Sequence, residues 1–104
     1  MSVYHDPDVP IEVILGQTFT VSLQSIPSTG YTWKEEYDST MIELLKAKEF
    51  VSRSSAVGGG GEEIFEFQTR QLGETHIKME YQREWETTPR ETKLFTIHII
   101  QEGH

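Results

Sequence analysis

Residues 17–25, with the sequence QTFTVSLQS, decide the fold. Three apolar side chains, Phe19, Val21 and Leu23, alternate one for one with hydroxyl and amide side chains. Because successive residues of a β-strand point to opposite faces of its sheet, this pattern predicts a strand with one buried face. The three-to-four-residue spacing of an amphipathic helix fits the same stretch badly.

The same alternation recurs along the chain in short runs that are separated by turn residues. About seven strands with turns at roughly ten-residue intervals predict an all-β fold, an immunoglobulin-like antiparallel β-sandwich with Trp33 in its core. Residues 41–51 are ambiguous because their apolar spacing also permits a helix, and we favour a strand over 46–51. The other strands are predicted over residues 11–15, 17–25, 31–37, 64–70, 75–82 and 92–101.

The length of the chain predicts one domain. A second hydrophobic core would leave each half of the 104 residues near the lower size limit for independent folding. We therefore expect a single domain over residues 1–104, with residues 1–10 as a loosely ordered N-terminal segment.

Charge and composition exclude several classes of partner and chemistry. Seventeen acidic against nine basic residues give a net charge of -8, which disfavours nucleic acids and anionic membranes as partners. Cysteine is absent, so disulfides, thiolate metal sites and cysteine nucleophiles are ruled out. No apolar run approaches the roughly 20 residues of a membrane span. Residues 1–10 carry no secretory signal as written, which leaves open a cytoplasmic protein or the mature form of an exported one.

Three connections differ in composition from ordinary turns. Residues 26–33 contain Pro27 and Gly30, which shape a stiff loop, and two hydroxyl side chains between them. Residues 54–61 end in four glycines, whose bare backbone could lie against a partner. Residues 82–89 carry Trp85 at a polar hairpin tip, and tryptophan is enriched at binding hot spots.

Each of these loops also has an ordinary explanation. The hydroxyls of the first loop could satisfy local backbone groups, the glycines could form a loop without a role, and Trp85 could fold back onto the sandwich. Their order in the chain adds a further argument. In a seven-stranded Greek-key sandwich the second-to-third, fourth-to-fifth and sixth-to-seventh connections lie at the same end, so we expect the three loops to adjoin.

The sequence resembles the chagasin family, inhibitors of papain-like cysteine proteases. The family has an Asn-Pro-x-Thr-Gly-aromatic loop, then a glycine-rich loop, then an Arg-Pro-Trp-Glu loop. This chain has IPSTGY at 26–31, GGGG at 58–61 and REWE at 83–86, in the same order. It departs from the family at three positions, where Ile26 replaces the Asn, Ser28 the usual Thr after the first Pro, and Glu84 the second Pro. Ser28 keeps a hydroxyl, whereas the loss of the Asn and of the second Pro removes loop stiffening.

The resemblance implies a reversible, non-covalent inhibitor that fills the protease cleft with the loops 26–33, 54–61 and 82–89. It implies that Ser28 and Thr29 face the catalytic Cys/His pair and that the glycines follow the unprimed groove, with Val57 nearest the S2 pocket. Trp85 and Arg83 would then lie on the primed side. We expect a monomer that is not an enzyme and has no cofactor or metal. The predicted protease-binding residues are Pro27, Ser28, Thr29, Gly30, Tyr31, Val57, Gly58, Gly59, Gly60, Gly61, Arg83 and Trp85.

Other classes of function fit the sequence less well. A binding or adhesion sandwich could stack Tyr31, Trp33 and Trp85 on a carbohydrate or bind a protein, and fold alone does not exclude it. Paired carboxylates for a hydrolase are available only at 62–63 or at 84 and 86, and neighbouring strand residues face opposite ways. His76 and His98 could share a metal, although surface histidines are the simpler interpretation.

Overall fold

The computed structural model describes residues 3–52 and 60–103. The predicted all-β fold is confirmed, because the regular elements of this part of the chain are strands, apart from one short 3-10 turn at Pro27–Thr29. In the described ranges no helix is long and apolar enough to cross a membrane. The strands are β1 (Val3–Tyr4), β2 (Ile11–Ile14), β3 (Thr18–Ser25), β4 (Tyr31–Tyr37), β5 (Ile42–Leu44), β6 (Glu49–Ser52), β7 (Gly61–Thr69), β8 (Gly73–Arg83) and β9 (Glu91–Ile100).

Two sheets form the predicted sandwich. The first, sheet A, has the order β1-β3-β7-β5, and β6 pairs with β7 beside β5. The second, sheet B, has the order β2-β9-β8-β4. Most pairs are antiparallel as predicted, but β1 pairs with β3 and β2 with β9 in parallel. β2 does not form a hairpin with β3, because β3 belongs to the other sheet, and it pairs instead with the distant strand β9.

The core lies between the sheets and follows the alternation in the sequence. Phe19, Val21 and Leu23 of β3 are buried, as are the aromatic residues Phe65 and Phe67 of β7. Full burial of such a side chain contributes about 1.5–3 kcal/mol. Trp33 is 2% exposed, which confirms its predicted place in the core.

Residues 41–51 form two strands and no helix. β5 and β6 pair with the same edge of β7, one towards each end: Ile42 lies opposite Thr69, and Glu49 lies opposite Ile64. Pairing with a long central strand therefore decides a segment whose own periodicity was ambiguous.

The N-terminal segment contributes a strand where the sequence predicted loose order. Val3 pairs with Thr20 and Tyr4 with Val21 at the edge of sheet A. His5 then contacts the backbone oxygen of Ser22 through Nδ1, at 3.0 Å. How firmly residues 1–10 are held stays a prediction.

Candidate functional site

The connections singled out in the sequence meet at one end of the sandwich. β3 ends at Ser25 opposite Gly61, the first residue of β7, and β4 begins at Tyr31 opposite Arg83, the last residue of β8. The loop 26–30 therefore crosses from sheet A to sheet B between the other two connections.

Close contacts show that the described parts of the three loops adjoin. A Cβ placed on Gly60 would lie 3.4 Å from the side chain of Ile26, and one placed on Gly30 would lie 3.5 Å from the ring of Trp85. Loop 26–30 is thus the middle of three neighbouring segments, with the end of the glycine run on one side and Trp85 on the other.

The middle loop is held rigid by its own hydrogen bonds. Pro27–Thr29 form a 3-10 turn, in which the Thr29 amide donates to the oxygen of Ile26 at 3.0 Å and the Gly30 amide to that of Pro27 at 2.9 Å. Gly30 closes the turn at a φ of +84°, a left-handed conformation that favours glycine. The turn is therefore well formed although the family's Asn is replaced by Ile26.

The two hydroxyls of this loop have different roles. The Thr29 hydroxyl donates a hydrogen bond to the backbone oxygen of Ile26 at 2.6 Å and so stabilises the loop. This is the local backbone contact predicted by the ordinary explanation of the hydroxyls. Ser28 is exposed, and within residues 3–52 and 60–103 its hydroxyl has no hydrogen-bond partner. Of the two, the Ser28 hydroxyl is the one available to another molecule.

A stack of aromatic rings connects this loop to the core. Tyr81 of β8 stacks on Trp33, with ring centroids 4.7 Å apart, and on Tyr31 at 5.2 Å. Its hydroxyl accepts a hydrogen bond from the Ile26 amide at 3.1 Å. Tyr81 was not among the predicted site residues, although its place on the apolar side of β8 was visible in the alternation of residues 75–82.

Arg83 joins the middle loop to the Trp85 loop. Its guanidinium lies 4.4 Å from the ring centre of Tyr31 and 5.8 Å from that of Trp85. Its Nε donates to the Thr29 oxygen at 2.9 Å. Arg83 therefore contacts groups of its own chain at the site, and its predicted contact with a protease stays a prediction.

Trp85 projects from the third loop into solvent. Trp85 is 74% exposed, so it is not folded back into the sandwich, although one edge of its ring lies beside Gly30, 3.5 Å from where a Cβ on that residue would stand. The loop beneath it is closed by hydrogen bonds: the Glu86 amide donates to the Arg83 oxygen at 3.1 Å, and the Gln82 side chain donates to the Glu86 oxygen at 2.9 Å. A braced loop that exposes a large aromatic ring is typical of a binding surface.

Of the predicted glycine loop, Val57, Gly58 and Gly59 lie outside the described residues. Gly60 borders the middle loop, and Gly61 begins β7 between Ser25 and Ser52. A Cβ on Gly61 would approach the backbone oxygen of Val51 to 2.2 Å, so glycine is required there for close packing of the strands.

An ion pair beneath the site ties the two sheets together. Lys48, between β5 and β6, places its Nζ 2.9 Å from Glu63 of β7 and donates to the Trp33 oxygen at 2.5 Å and the Thr32 hydroxyl at 2.9 Å. The Glu63 side chain is 6% exposed and accepts a hydrogen bond from the Trp33 amide at 3.2 Å. An acidic residue on the apolar face of a strand was the signal that could have revealed this pair.

The described residues offer no arrangement for hydrolytic or metal chemistry. Glu62 and Glu63 face opposite sides of β7, with Glu62 hydrogen-bonded to the Ser22 hydroxyl. His76 and His98 each lie near Glu74, at 3.7 Å and 3.4 Å, on strands of sheet B. No group of three or more residues suited to hold a metal ion occurs in the part of the chain that the structure describes.

Known proteins share both sequence and fold with this chain. The family model described as "Chagasin family peptidase inhibitor I42" matches residues 12–99. The chain is 26% identical over 95 residues to chagasin of Trypanosoma cruzi, and the match covers 86% of each protein. Its fold is similar to that of the cysteine protease inhibitor EhICP2 of Entamoeba histolytica, with a TM-score of 0.79 and 20% identity over 95% of this chain and 96% of the other.

A more distant structure was solved with a protease bound. PbICP-C in complex with falcipain-2 is 15% identical and has a TM-score of 0.60, with 96% of this chain and 98% of that chain covered. The family model matches most of the chain, and the matched range includes all three motifs, at 26–31, 58–61 and 83–86. The chain thus belongs to the chagasin family of peptidase inhibitors, as its three motifs predicted, and is an inhibitor rather than an enzyme.

Proposed function

We propose that this protein blocks the active-site cleft of papain-like cysteine proteases, reversibly and without covalent chemistry, through the loops 26–33, 54–61 and 82–89. The observation that carries the proposal is that the loop 26–33 lies beside both Gly60, the described end of the glycine run, and the loop 82–89, with Trp85 74% exposed at the edge of the group. Two similar structures support the choice of target, since one is named a cysteine protease inhibitor and the other holds falcipain-2.

The middle loop is the part that enters the cleft above the catalytic Cys/His pair. Its exposed Ser28 hydroxyl provides a hydrogen bond to the protease, while Thr29 holds the turn. Because the turn is already closed by three hydrogen bonds to the Ile26 and Pro27 oxygens, little conformational entropy is lost on binding.

The flanking loops cover the groove on either side of the catalytic pair. Trp85 buries its ring against the primed side of the cleft. Removing a large exposed aromatic side chain from water contributes more binding free energy than removing a small one. On the unprimed side the glycine backbone, residues 58–61, exchanges hydrogen bonds with the protease, and Val57 enters the S2 pocket.

This mode of binding also explains how the inhibitor would resist cleavage. Papain-like enzymes act on an extended peptide, whereas Pro27–Thr29 form a 3-10 turn that Gly30 ends in a left-handed conformation. The segment nearest the catalytic thiol therefore does not present an extended peptide to the protease.

Titration of papain tests the proposal. We expect stoichiometric loss of peptidase activity with a dissociation constant on the order of nanomolar, an intact inhibitor chain by mass spectrometry, and recovery of activity after dilution. A carbohydrate-binding or adhesion module would leave papain fully active at a large molar excess, and that result would refute the proposal for this enzyme.

A further inference from the structure

Phe50 is an exposed aromatic residue beside the site that the sequence motifs do not include. It lies on β6, a short strand of sheet A that pairs with β7, and is opposite Glu63. Its side chain is 41% exposed, yet one edge of the ring packs closely on Gly61, whose added Cβ would lie 2.7 Å from it. The ring is therefore held in place while much of its surface faces solvent.

A groove separates Phe50 from the middle loop. Its volume is about 390 Å³, and its walls are formed by Phe50 on one side and by Pro27, Gly30 and Tyr31 on the other. This is room for one large side chain. The groove opens between β4 and β6, at the same end of the sandwich as the three loops.

The floor of the groove carries balanced charges. Lys48 and Glu63 both line it, and they are paired with each other at 2.9 Å. A charged side chain entering the groove would have to compete with this pair and lose its own hydration. An apolar, uncharged side chain meets the ring of Phe50 and the ring of Pro27 without such a penalty.

We propose that Phe50 and this groove form a fourth contact with the protease and take an apolar side chain from the rim of the active-site cleft. The inference rests on the proposed function, because the groove shares Pro27 and Gly30 with the loop that enters the cleft. Phe50 packs on Gly61 at the end of the glycine run and shares the groove with Pro27 of the middle loop, so a protease that covers both segments comes close to Phe50.

Fluorine NMR tests the contact without a mutation. The chain has five phenylalanines, and four of them, Phe19, Phe65, Phe67 and Phe95, are fully buried. In protein labelled with 4-fluorophenylalanine, we expect one resonance to shift between H₂O and D₂O, that of Phe50. Addition of one equivalent of papain should abolish this solvent shift, and the four buried rings serve as internal controls.

Mutation measures the contribution of the contact. We expect Phe50→Ala to raise the inhibition constant for papain at least tenfold, chiefly through faster dissociation. Leu94→Ala is the matched control, since Leu94 is 52% exposed on β9, away from the groove, and should leave inhibition unchanged. A thermal melt of each variant verifies folding, and the fluorine measurement does not depend on the variants.

The outcomes separate this inference from the proposed function. If the wild-type protein inhibits papain while the Phe50 resonance keeps its solvent shift in the complex, the fourth contact is refuted and three-loop inhibition stands. If the wild-type protein leaves papain active, both proposals fail for this enzyme. A Phe50 resonance that moves with inhibitor concentration in the absence of papain would show that a second copy fills the groove, which also refutes the inference.

Discussion

Replacement of Trp85 by alanine should weaken inhibition strongly while leaving the fold intact. A tryptophan side chain buries roughly 200 Å² when fully covered, and 74% exposure leaves about 150 Å² of this to be covered by a protease. At about 25 cal/mol per Å² this burial is worth about 3.7 kcal/mol. Ordering the side chain costs about 1 kcal/mol, so Trp85→Ala should lose about 2–3 kcal/mol of binding, or roughly 30- to 150-fold in the inhibition constant.

The assay compares inhibition constants for papain with thermal stability. The unfolding midpoint should change little, because Trp85 is 74% exposed and does not belong to the buried core. Leu72→Ala is a suitable control, since Leu72 is 45% exposed in the β7–β8 connection at the opposite end of the sandwich. An inhibition constant for Trp85→Ala within threefold of wild type would show that the ring stays in solvent in the complex.

Three further substitutions test how the site is held. Gly30→Ala forces a side chain into a φ of +84°, and we expect a loss of about 1–2 kcal/mol of stability in urea denaturation together with weaker inhibition. A stability equal to wild type would contradict the strain argument. Arg83→Lys removes the planar group that bonds the Thr29 oxygen, so the inhibition constant should rise about tenfold while the unfolding midpoint stays within a few degrees. Equal inhibition would mean that Arg83 does not position the loop. Lys48→Met leaves the buried Glu63 without its cation and should cost about 1–3 kcal/mol of folding free energy. Adding Glu63→Gln to this variant should restore part of the lost stability. No restoration would refute the ion pair as the cause of the loss.

Local patterns in the sequence were enough to predict the architecture. Alternation at 17–25 and 64–70 located β3 and β7, although β7 begins three residues earlier, at Gly61. The core is made by every second residue, so burial at Phe19 and Phe67 follows directly from the alternation. The boundaries of β4 were also correct, at Tyr31–Tyr37. The family motifs identified the inhibitor because each depends on a turn or an exposed ring that can be recognised in a few residues.

Pairing between distant segments was less accessible to sequence reasoning. Residues 41–51 contain an apolar spacing that suits a helix or a strand, and only the free edge of β7 decides for two short strands. The parallel pairing of β2 with β9 brings residues 11–14 beside residues 97–100, and no local pattern contains information about so distant a neighbour.

By itself the sequence determined that this chain forms a sandwich, that Trp33 is a core residue, and that three turn-like segments carry an inhibitor's motifs. The tertiary structure alone decided that Arg83 binds the Thr29 loop, that Lys48 pairs with Glu63 below it, and that Phe50 forms a groove with Pro27. The physical reason is that periodicity and turn chemistry act over a few neighbouring residues. Side-chain contacts depend on where β6, β7 and β8 meet in space, which is fixed only when the sheets have paired and packed.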